Sequence, residues 1–141
     1  MPEGSSDTLW SLIAADKRCT QRAVALGLWQ LVDDVLGDGE VVHALLYRVT
    51  KNDTRPVLLV TDQRILAARR RAFRGWQVEH EVASRDVVGA TWRARGITLR
   101  VEVHARAGPG FTVKTRVEPW AKEVVALIDH LVAGGAPPRA G

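Results

Sequence analysis

The spacing of apolar residues changes near residue 40, from the period of a helix to that of a strand. Before this point, four apolar residues recur at intervals of four, three and four, which places them on one helical face. They are Val24, Leu28, Leu31 and Val35. After Gly37 and Gly39, many apolar residues alternate with polar ones, as in strands with one buried face. The pattern predicts a helical segment over residues 8–36, followed by a β region.

A polar interruption divides the helical segment. Ser6 or Asp7 can cap its start by accepting a hydrogen bond from a free backbone amide. The stretch from Asp16 to Gln21 is polar and separates a first apolar group, around Trp10, from the later one. Two helices with a break at this stretch are favoured, and one long helix is the alternative.

The strongest strand signal is a hairpin in which two apolar runs meet at a polar turn. The runs are residues 58–60 and 65–67, and the turn is Thr61-Asp62-Gln63-Arg64. Consecutive rather than alternating apolar residues indicate strands that are buried on both faces.

Seven short strands are predicted in all. They span residues 41–50, 56–61, 64–69, 76–82, 87–92, 97–104 and 111–117. In the fourth strand, one buried face is expected from Trp76, Val78, His80 and Val82. In the sixth strand, the inward residues are expected to be Ile97, Leu99, Val101 and Val103. Residues 70–75 are expected to form a basic loop, and residues 93–96 a turn.

A closing helix follows the strands. Pro119 suits its first turn, because the missing amide hydrogen would have no partner there. Its apolar face is Trp120, Val124, Leu127, Ile128 and Leu131. Gly134-Gly135 ends the helix, and residues 134–141 are predicted to be a disordered tail.

This order of elements resembles the bacterial pleckstrin-homology-like (PH-like) domains over residues 39–133. The likeness is carried by Gly39-Glu40-Val41, Leu59 to Leu66, Val87-Val88-Gly89-Ala90 and Pro119-Trp120. The resemblance implies an α+β fold, a seven-stranded antiparallel barrel or sandwich capped by a C-terminal helix. Residues 1–38 are then an N-terminal helical extension. A fold of this kind carries many unrelated functions and does not by itself assign one.

Composition indicates one domain in the cytoplasm. The chain has 141 residues, of which 46% are hydrophobic, enough for a substantial core. No apolar run approaches the roughly 20 residues that cross a bilayer, and no signal peptide is visible. Cys19 is the single cysteine, so neither an internal disulfide nor a cysteine-based zinc site is expected.

The positive charge lies in the middle of the chain. Residues 40–117 carry fifteen basic and seven acidic side chains, net +8, whereas residues 1–39 carry net −3. Arginine outnumbers lysine sixteen to four, which is also what a GC-rich genome would produce. The basic residues are therefore either an anion-binding surface or a solvated face.

Two basic groups are candidates for anion or lipid binding. They are Arg69, Arg70, Arg71 and Arg74, together with Arg48, Lys51 and Arg55. The resemblance implies that these groups lie in loops at one open rim, where phosphoinositide-binding members hold the headgroup. Those members follow a lysine with a basic-x-arginine stretch, but here Pro56 and Val57 follow Arg55 and the pattern is incomplete. The competing interpretation, a solvated arginine-rich loop, is favoured over anion binding.

The helical extension is the candidate protein interface. Its apolar faces are too large to stay exposed. They pack either on their own domain, which is favoured, or on another copy or a partner. The candidate anchors in the second case are Trp10, Ile13, Leu28 and Trp29.

No catalytic or cofactor-binding arrangement is found in the sequence. The four histidines are scattered, and no nucleophile lies beside a base. We therefore expect a non-catalytic binding or assembly module without metal or cofactor, engaging a protein partner or itself. The alternative is peripheral binding to anionic lipid through the arginine-rich rim. Nucleic-acid binding is third, since few aromatic residues lie near the basic segment to stack on bases.

Overall fold

The computed structural model describes residues 8, 10–12, 14–15, 30–46, 57–71, 74–115 and 118–136. Residues 8, 10–12 and 14–15 are helical, and a short helix α1 spans Leu31–Asp34. The strands are β1 (Val42–Leu46), β2 (Val57–Thr61), β3 (Arg64–Arg71), β4 (Gly75–Ala83), β5 (Val87–Arg95), β6 (Thr98–Ala105) and β7 (Phe111–Thr115). Helix α2, Glu118–Val132, follows them.

Two antiparallel sheets and the C-terminal helix form a PH-like sandwich. One sheet has the order β1-β2-β3-β4 and the other the order β5-β6-β7. The fold class expected from the sequence is thus confirmed in its sandwich form rather than as a closed barrel. The hairpin β2–β3 lies inside the first sheet, and every residue of Val57–Thr61 is buried. Burial on both faces explains why its apolar residues are consecutive.

The main core lies between the two sheets and α2. It combines Leu58, Val60 and Ile65 from the first sheet with residues of the second. Helix α2 contributes Ala121, Val124, Val125 and Ile128. Its Asp129 accepts a hydrogen bond from the amide of Ala90 in β5, 3.1 Å, which fixes the helix on the second sheet. Beyond the helix, the amides of Gly134 and Gly135 bond to carbonyls of its last turn.

A second core covers the opposite face of the first sheet. Residues of the helical segment, including Leu12, Ala15 and Leu31, pack here on the same chain. The sheet supplies Val42, Leu45, Val57, Leu59, Leu66, Ala68 and Trp76. Ser11 Oγ accepts a hydrogen bond from the amide of Val42, 2.8 Å, which links this segment to the start of β1. The described part of the helical segment therefore contacts its own sandwich.

A β-bulge at Glu79 makes the expected single face of β4 wrong. His80 pairs with Ala67 and Val78 with Ala68, so Glu79 has no partner residue on β3. One extra residue moves all later side chains to the other face, because strand side chains alternate with a period of two. Val82 consequently packs in the main core, Trp76 packs in the second core, and Val78 is exposed.

Two strands continue beyond their predicted ends. Strand β3 continues to Arg71, since Arg69, Arg70 and Arg71 pair with Gln77, Trp76 and Gly75. The predicted basic loop from residue 70 is therefore wrong at its start. Strand β5 continues to Arg95 instead of turning at residue 93. Backbone hydrogen bonds build the ladder irrespective of side-chain charge, so a run of arginines does not end a strand.

Candidate functional site

The outer face of the second sheet carries a row of basic residues across its three strands. Arg93 of β5 is opposite Arg100 of β6, which in turn is opposite Lys114 of β7. Arg95 lies two residues beyond Arg93, on the same face of β5. The inward residues of β6 are Leu99, Val101 and Val103, so Arg100 points away from the core. We call Arg93, Arg95, Arg100 and Lys114 the basic face.

Among the residues that the structure describes on this part of the sheet, one carboxylate accompanies these four cations. Glu102 Oε1 accepts hydrogen bonds from Arg93, from Nε at 3.1 Å and from a terminal nitrogen. Further along the strands, Thr91 Oγ1 and His104 Nε2 are hydrogen-bonded at 2.9 Å. Counting Glu102 with the basic face leaves a formal charge of +3, because the other outward residues described nearby on these three strands are uncharged. Electrostatic attraction for an anionic surface is therefore built into this face.

The end of the β5–β6 hairpin is exposed from Arg93 to Ile97. Arg95 pairs with Thr98, which leaves Gly96 and Ile97 as a two-residue turn. A shallow depression of about 320 Å³ lies beside it, lined by Arg93, Ala94, Arg95 and Arg100. Ile97 is 72% exposed, and its expected inward position is wrong because it occupies the turn rather than the strand.

The other side of this hairpin end is apolar and aromatic. Trp92 pairs with Val101, so it lies on the inward side of β5, but it is 36% exposed. Lys122 of α2 places its Nζ 4.8 Å from the centre of the Trp92 ring, a cation–π contact. The next residue on that side, Ala94, is exposed. Basic and apolar residues thus occupy opposite sides of one exposed hairpin end.

The basic residues predicted from sequence do not form one described cluster. Arg69 pairs with Glu79, Nε to Oε1 at 2.7 Å, and is half-buried. Arg70 and Arg74 are exposed at the end of the β3–β4 pair, next to Arg71 in the ladder. The other three candidates lie outside the described residues: Arg48, Lys51 and Arg55. Their proposed common rim therefore stays a prediction.

Of the predicted interface residues, Trp10 is described, and it is 66% exposed. Its neighbours Ser11 and Leu12 are buried against the sheet, so Trp10 lies on the solvent side of the helical segment. The remaining candidates, Ile13, Leu28 and Trp29, lie outside the described residues. Their role as anchors stays a prediction.

A buried polar cluster surrounds the carboxylate of Glu40, which lies between α1 and β1. Glu40 accepts hydrogen bonds from the Thr61 hydroxyl at 2.6 Å, from the Gly37 amide at 2.9 Å and from Arg64. Burial by itself raises the pKa of Glu40. The hydrogen bonds from Arg64, Thr61 and Gly37 and the charge of Arg64 outweigh burial, so the pKa lies below its ordinary value. The cluster is fully occupied by internal partners, which suits a structural role.

The described residues contain no group of three or more His, Asp or Glu side chains that could hold a metal ion. His80 stacks on Phe111, with ring centroids 5.7 Å apart, at the edge of the main core. Within the same part of the chain, no helix has the length and apolar character needed to span a bilayer.

The sequence contains a pattern that indicates part of the basic face, but the predicted strand boundaries excluded it. Arg93 and Arg95 are two residues apart, as are Thr98 and Arg100, which is the period of one strand face. Assigning residues 93–96 to a turn removed the first pair from any strand. The alignment of Lys114 with Arg100 and Arg93 depends on the register of three strands, and this register cannot be derived from one sequence.

Comparison with known proteins agrees with this architecture. The crystal structure of a pleckstrin homology domain from Shewanella amazonensis SB2B superimposes with a TM-score of 0.50 at 13% identity, covering 77% of this chain and 97% of that one. At that identity the likeness shows the fold alone. A family model described as "Intermembrane lipid transfer protein VPS13, C-terminal" matches residues 25–123. No curated protein matches the chain significantly.

Proposed function

Because the chain belongs to the VPS13 C-terminal family, we propose that it is a non-catalytic module that binds the surface of membranes containing anionic lipids. The family description names an intermembrane lipid transfer protein, which supports a role at membranes. The basic face is the surface that would make the contact.

The observation that carries the proposal is the alignment of Arg93, Arg100 and Lys114 across three strands, with Arg95 beside them. A cation near an anionic bilayer contributes about 1 kcal/mol. Four cations, one of them already paired with Glu102, supply roughly 3 kcal/mol, enough for weak and reversible attachment. The sheet places these side chains on one side of a folded scaffold, so binding orders the side chains but not the backbone that carries them.

Nucleic acid is a less suitable ligand for the same charges. Binding of single strands relies on aromatic side chains on which bases stack. No Trp, Tyr or Phe is on the outer face of β5–β7, and the nearby Trp92 lies on the inward side. Charge attraction alone would remain, which both ligands share.

Protein binding is the second candidate function, and one observation favours it. Trp10 exposes two thirds of its side-chain surface on the helical segment, although tryptophan is usually well buried. Exposed tryptophans are frequent anchors of protein interfaces. Light scattering decides whether the partner is a second copy. A mass above 15.5 kDa that falls on Trp10→Ala supports self-association, and a constant 15.5 kDa argues against it.

Vesicle sedimentation tests the membrane proposal. The unmodified protein is expected to sediment with equimolar phosphatidylserine–phosphatidylcholine vesicles and to stay in solution with pure phosphatidylcholine. Reversing charge on the basic face, by Arg100→Glu with Lys114→Glu, is expected to abolish sedimentation.

The matched control is Arg70→Glu with Arg74→Glu, which makes the same charge change at the exposed end of β3–β4. Binding that survives this control but not the first pair supports the basic face. The reverse result assigns binding to the arginines identified from sequence. Absence of sedimentation by the unmodified protein, or stronger binding to a single-stranded oligonucleotide, contradicts the proposal.

A further inference from the structure

The turn between β5 and β6 presents an apolar side chain directly to solvent. Among the described large apolar residues, Ile97 is the most exposed, at 72%. It follows Gly96, whose φ of +61° suits the tight two-residue connection. Such a turn commonly carries polar residues, and an isoleucine gains nothing there from the folded chain itself.

Basic residues surround this apolar tip on one side. Arg95 precedes the turn, and Arg93 and Arg100 follow next along the outer face. A strand rises about 3.3 Å per residue. Because Arg95 pairs with Thr98, the residue after Ile97, its backbone lies about 3 Å behind Ile97, and the paired Arg93 and Arg100 lie about 10 Å behind it. Each polar region of a bilayer is roughly 5–7 Å thick, so an apolar tip just below it would leave Arg95 near the inner edge of this region and Arg93 and Arg100 beyond its outer edge, with long side chains that can reach the phosphates from either side.

The inward side of the hairpin supplies an aromatic residue one position further from the turn than Arg93 and Arg100. Trp92 is partly exposed there, and Ala94 lies between it and the turn. Tryptophan is enriched at the boundary between headgroups and acyl chains, where its ring and its N–H meet different environments. The hairpin end thus combines an apolar tip, a belt of arginines and an interfacial aromatic residue.

We propose that this hairpin end inserts into the bilayer, with Ile97 entering the acyl region while Arg93, Arg95 and Arg100 contact lipid phosphates. The inference rests on the proposed membrane binding and adds the orientation of the bound protein, in which the β5–β6 turn of the second sheet points into the bilayer. The basic face therefore meets the bilayer with its β5–β6 end inserted, and Lys114 remains in the long-range attraction of the face for anionic lipid.

The positive charge of the hairpin end favours an anionic membrane, rather than a second copy of the chain, as its binding partner. Two such tips meeting each other would bring arginines together, and like charges repel. An anionic bilayer offers phosphates to the arginines and a fluid acyl region to Ile97. No preformed pocket is needed to accept the side chain.

A fluorescent label on the complete chain tests the insertion. In a Cys19→Ser background, Ile97→Cys carries an environment-sensitive fluorophore, and Ala107→Cys carries the same label as a control. Ala107 is exposed in the β6–β7 connection, at the opposite end of β6. With equimolar phosphatidylserine–phosphatidylcholine vesicles, we expect a blue shift and quenching by acyl-brominated lipid at position 97, and neither at position 107.

The outcomes separate this inference from the proposed function. Sedimentation with vesicles but an unchanged label at position 97 overturns insertion and leaves surface binding intact. Equal shifts at both positions overturn the orientation. Loss of sedimentation altogether overturns both proposals.

Substitutions without a label give an independent measurement. Ile97→Ser is expected to weaken vesicle binding about tenfold, from loss of apolar burial, and Ile97→Leu to retain it. Val88→Ser is the control, since Val88 is also exposed but lies at the other end of β5. Unchanged binding by Ile97→Ser contradicts insertion.

Discussion

Arg64 holds the buried carboxylate of Glu40 with two hydrogen bonds, from Nε to Oε2 at 3.0 Å and from a terminal nitrogen to Oε1 at 3.1 Å. The same guanidinium donates to the carbonyl of Val35 at 2.8 Å and pairs with Glu81 at 2.7 Å. Thr61 Oγ1 donates to Glu40 and accepts the amides of Gln63 and Arg64. This ion pair therefore ties the end of the helical segment, and Glu40 just before β1, to strands β2, β3 and β4.

Loss of the Glu40 carboxylate should destabilise the fold strongly. Glu40→Ala leaves Arg64 and Thr61 without their buried acceptor, and removing one partner of a buried pair is costly. We expect the free energy of unfolding to fall by about 2–3 kcal/mol, measured by urea denaturation.

Glu81→Ala is the control for this prediction, because it removes the other carboxylate bound to Arg64 from an exposed position. Its cost should stay below about 1 kcal/mol. Similar decreases in the free energy of unfolding for Glu40→Ala and Glu81→Ala would show that burial does not make the Glu40–Arg64 contact stronger than the exposed one.

Stability should decrease in acid through the protonation of Glu40. Its pKa is lower in the folded chain than its ordinary value of 4.5. The unfolded chain therefore takes up the proton first, and the stabilisation is complete above the ordinary pKa. It is lost as the pH falls through the folded pKa. In thermal melts from neutral to acid pH, Glu40→Gln should show a smaller decrease than the unmodified protein; equal decreases would assign the acid sensitivity to other groups.

The helical segment should be needed for the stability of the sandwich. Leu31 is fully buried against the outer face of the first sheet. Leu31→Ala should cost about 2–4 kcal/mol, as a cavity forms in the second core. Deleting residues 1–38 would expose Leu45, Leu59 and Leu66 together and should cause aggregation, seen by light scattering. A stable monomer after the deletion would show that this core contributes little.

Gly75 should tolerate no side chain. Its φ is +71°, and a Cβ there would lie 2.5 Å from Asp34 Oδ2. That oxygen accepts the amide of Trp76 at 3.0 Å, so moving it breaks a contact between α1 and β4. Gly75→Ala should lower the free energy of unfolding by about 2–3 kcal/mol.

Gly39→Ala is the matched control, with a φ of +76° and no atom within 4 Å of a built Cβ. It should show the backbone cost alone, about 1 kcal/mol. If both variants lose the same stability, the contact with Asp34 does not matter.

Membrane binding through the basic face should be sensitive to salt. Raising the ionic strength from about 0.1 M to about 1 M shortens the Debye length from about 10 Å to about 3 Å. Vesicle sedimentation should therefore fall steeply over this range. The fall should be shallower for Lys114→Gln, which has one charge fewer on that face. Binding that does not respond to salt would exclude the basic face as its cause.

The sequence determined the elements whose signal is local. Consecutive apolar residues on either side of Thr61-Asp62-Gln63-Arg64 predicted a hairpin buried on both faces. Helical spacing predicted Val124, Ile128 and Leu131 on the packed face of α2 but not Ala121 and Val125. The contacts of this hairpin turn with the buried Glu40 carboxylate became apparent only in the tertiary structure. Glu40 and Arg64 are 24 positions apart, and the sequence around either residue contains no pattern that predicts their ion pair.

Tertiary structure decided the faces, the strand ends and the candidate site. The bulge at Glu79 moved Trp76 and Val82 into different cores, because pairing with β3 overrode the apparent alternation. Pairing with β6 carried β5 through Arg93 and Arg95, which turned a predicted loop into the edge of the basic face. Local patterns fix which residues prefer burial, whereas register between distant strands fixes which of them meet. The physical reason is that a one-residue shift in strand pairing moves every side chain to the opposite face of the sheet, and the local sequence does not indicate which of the two registers forms.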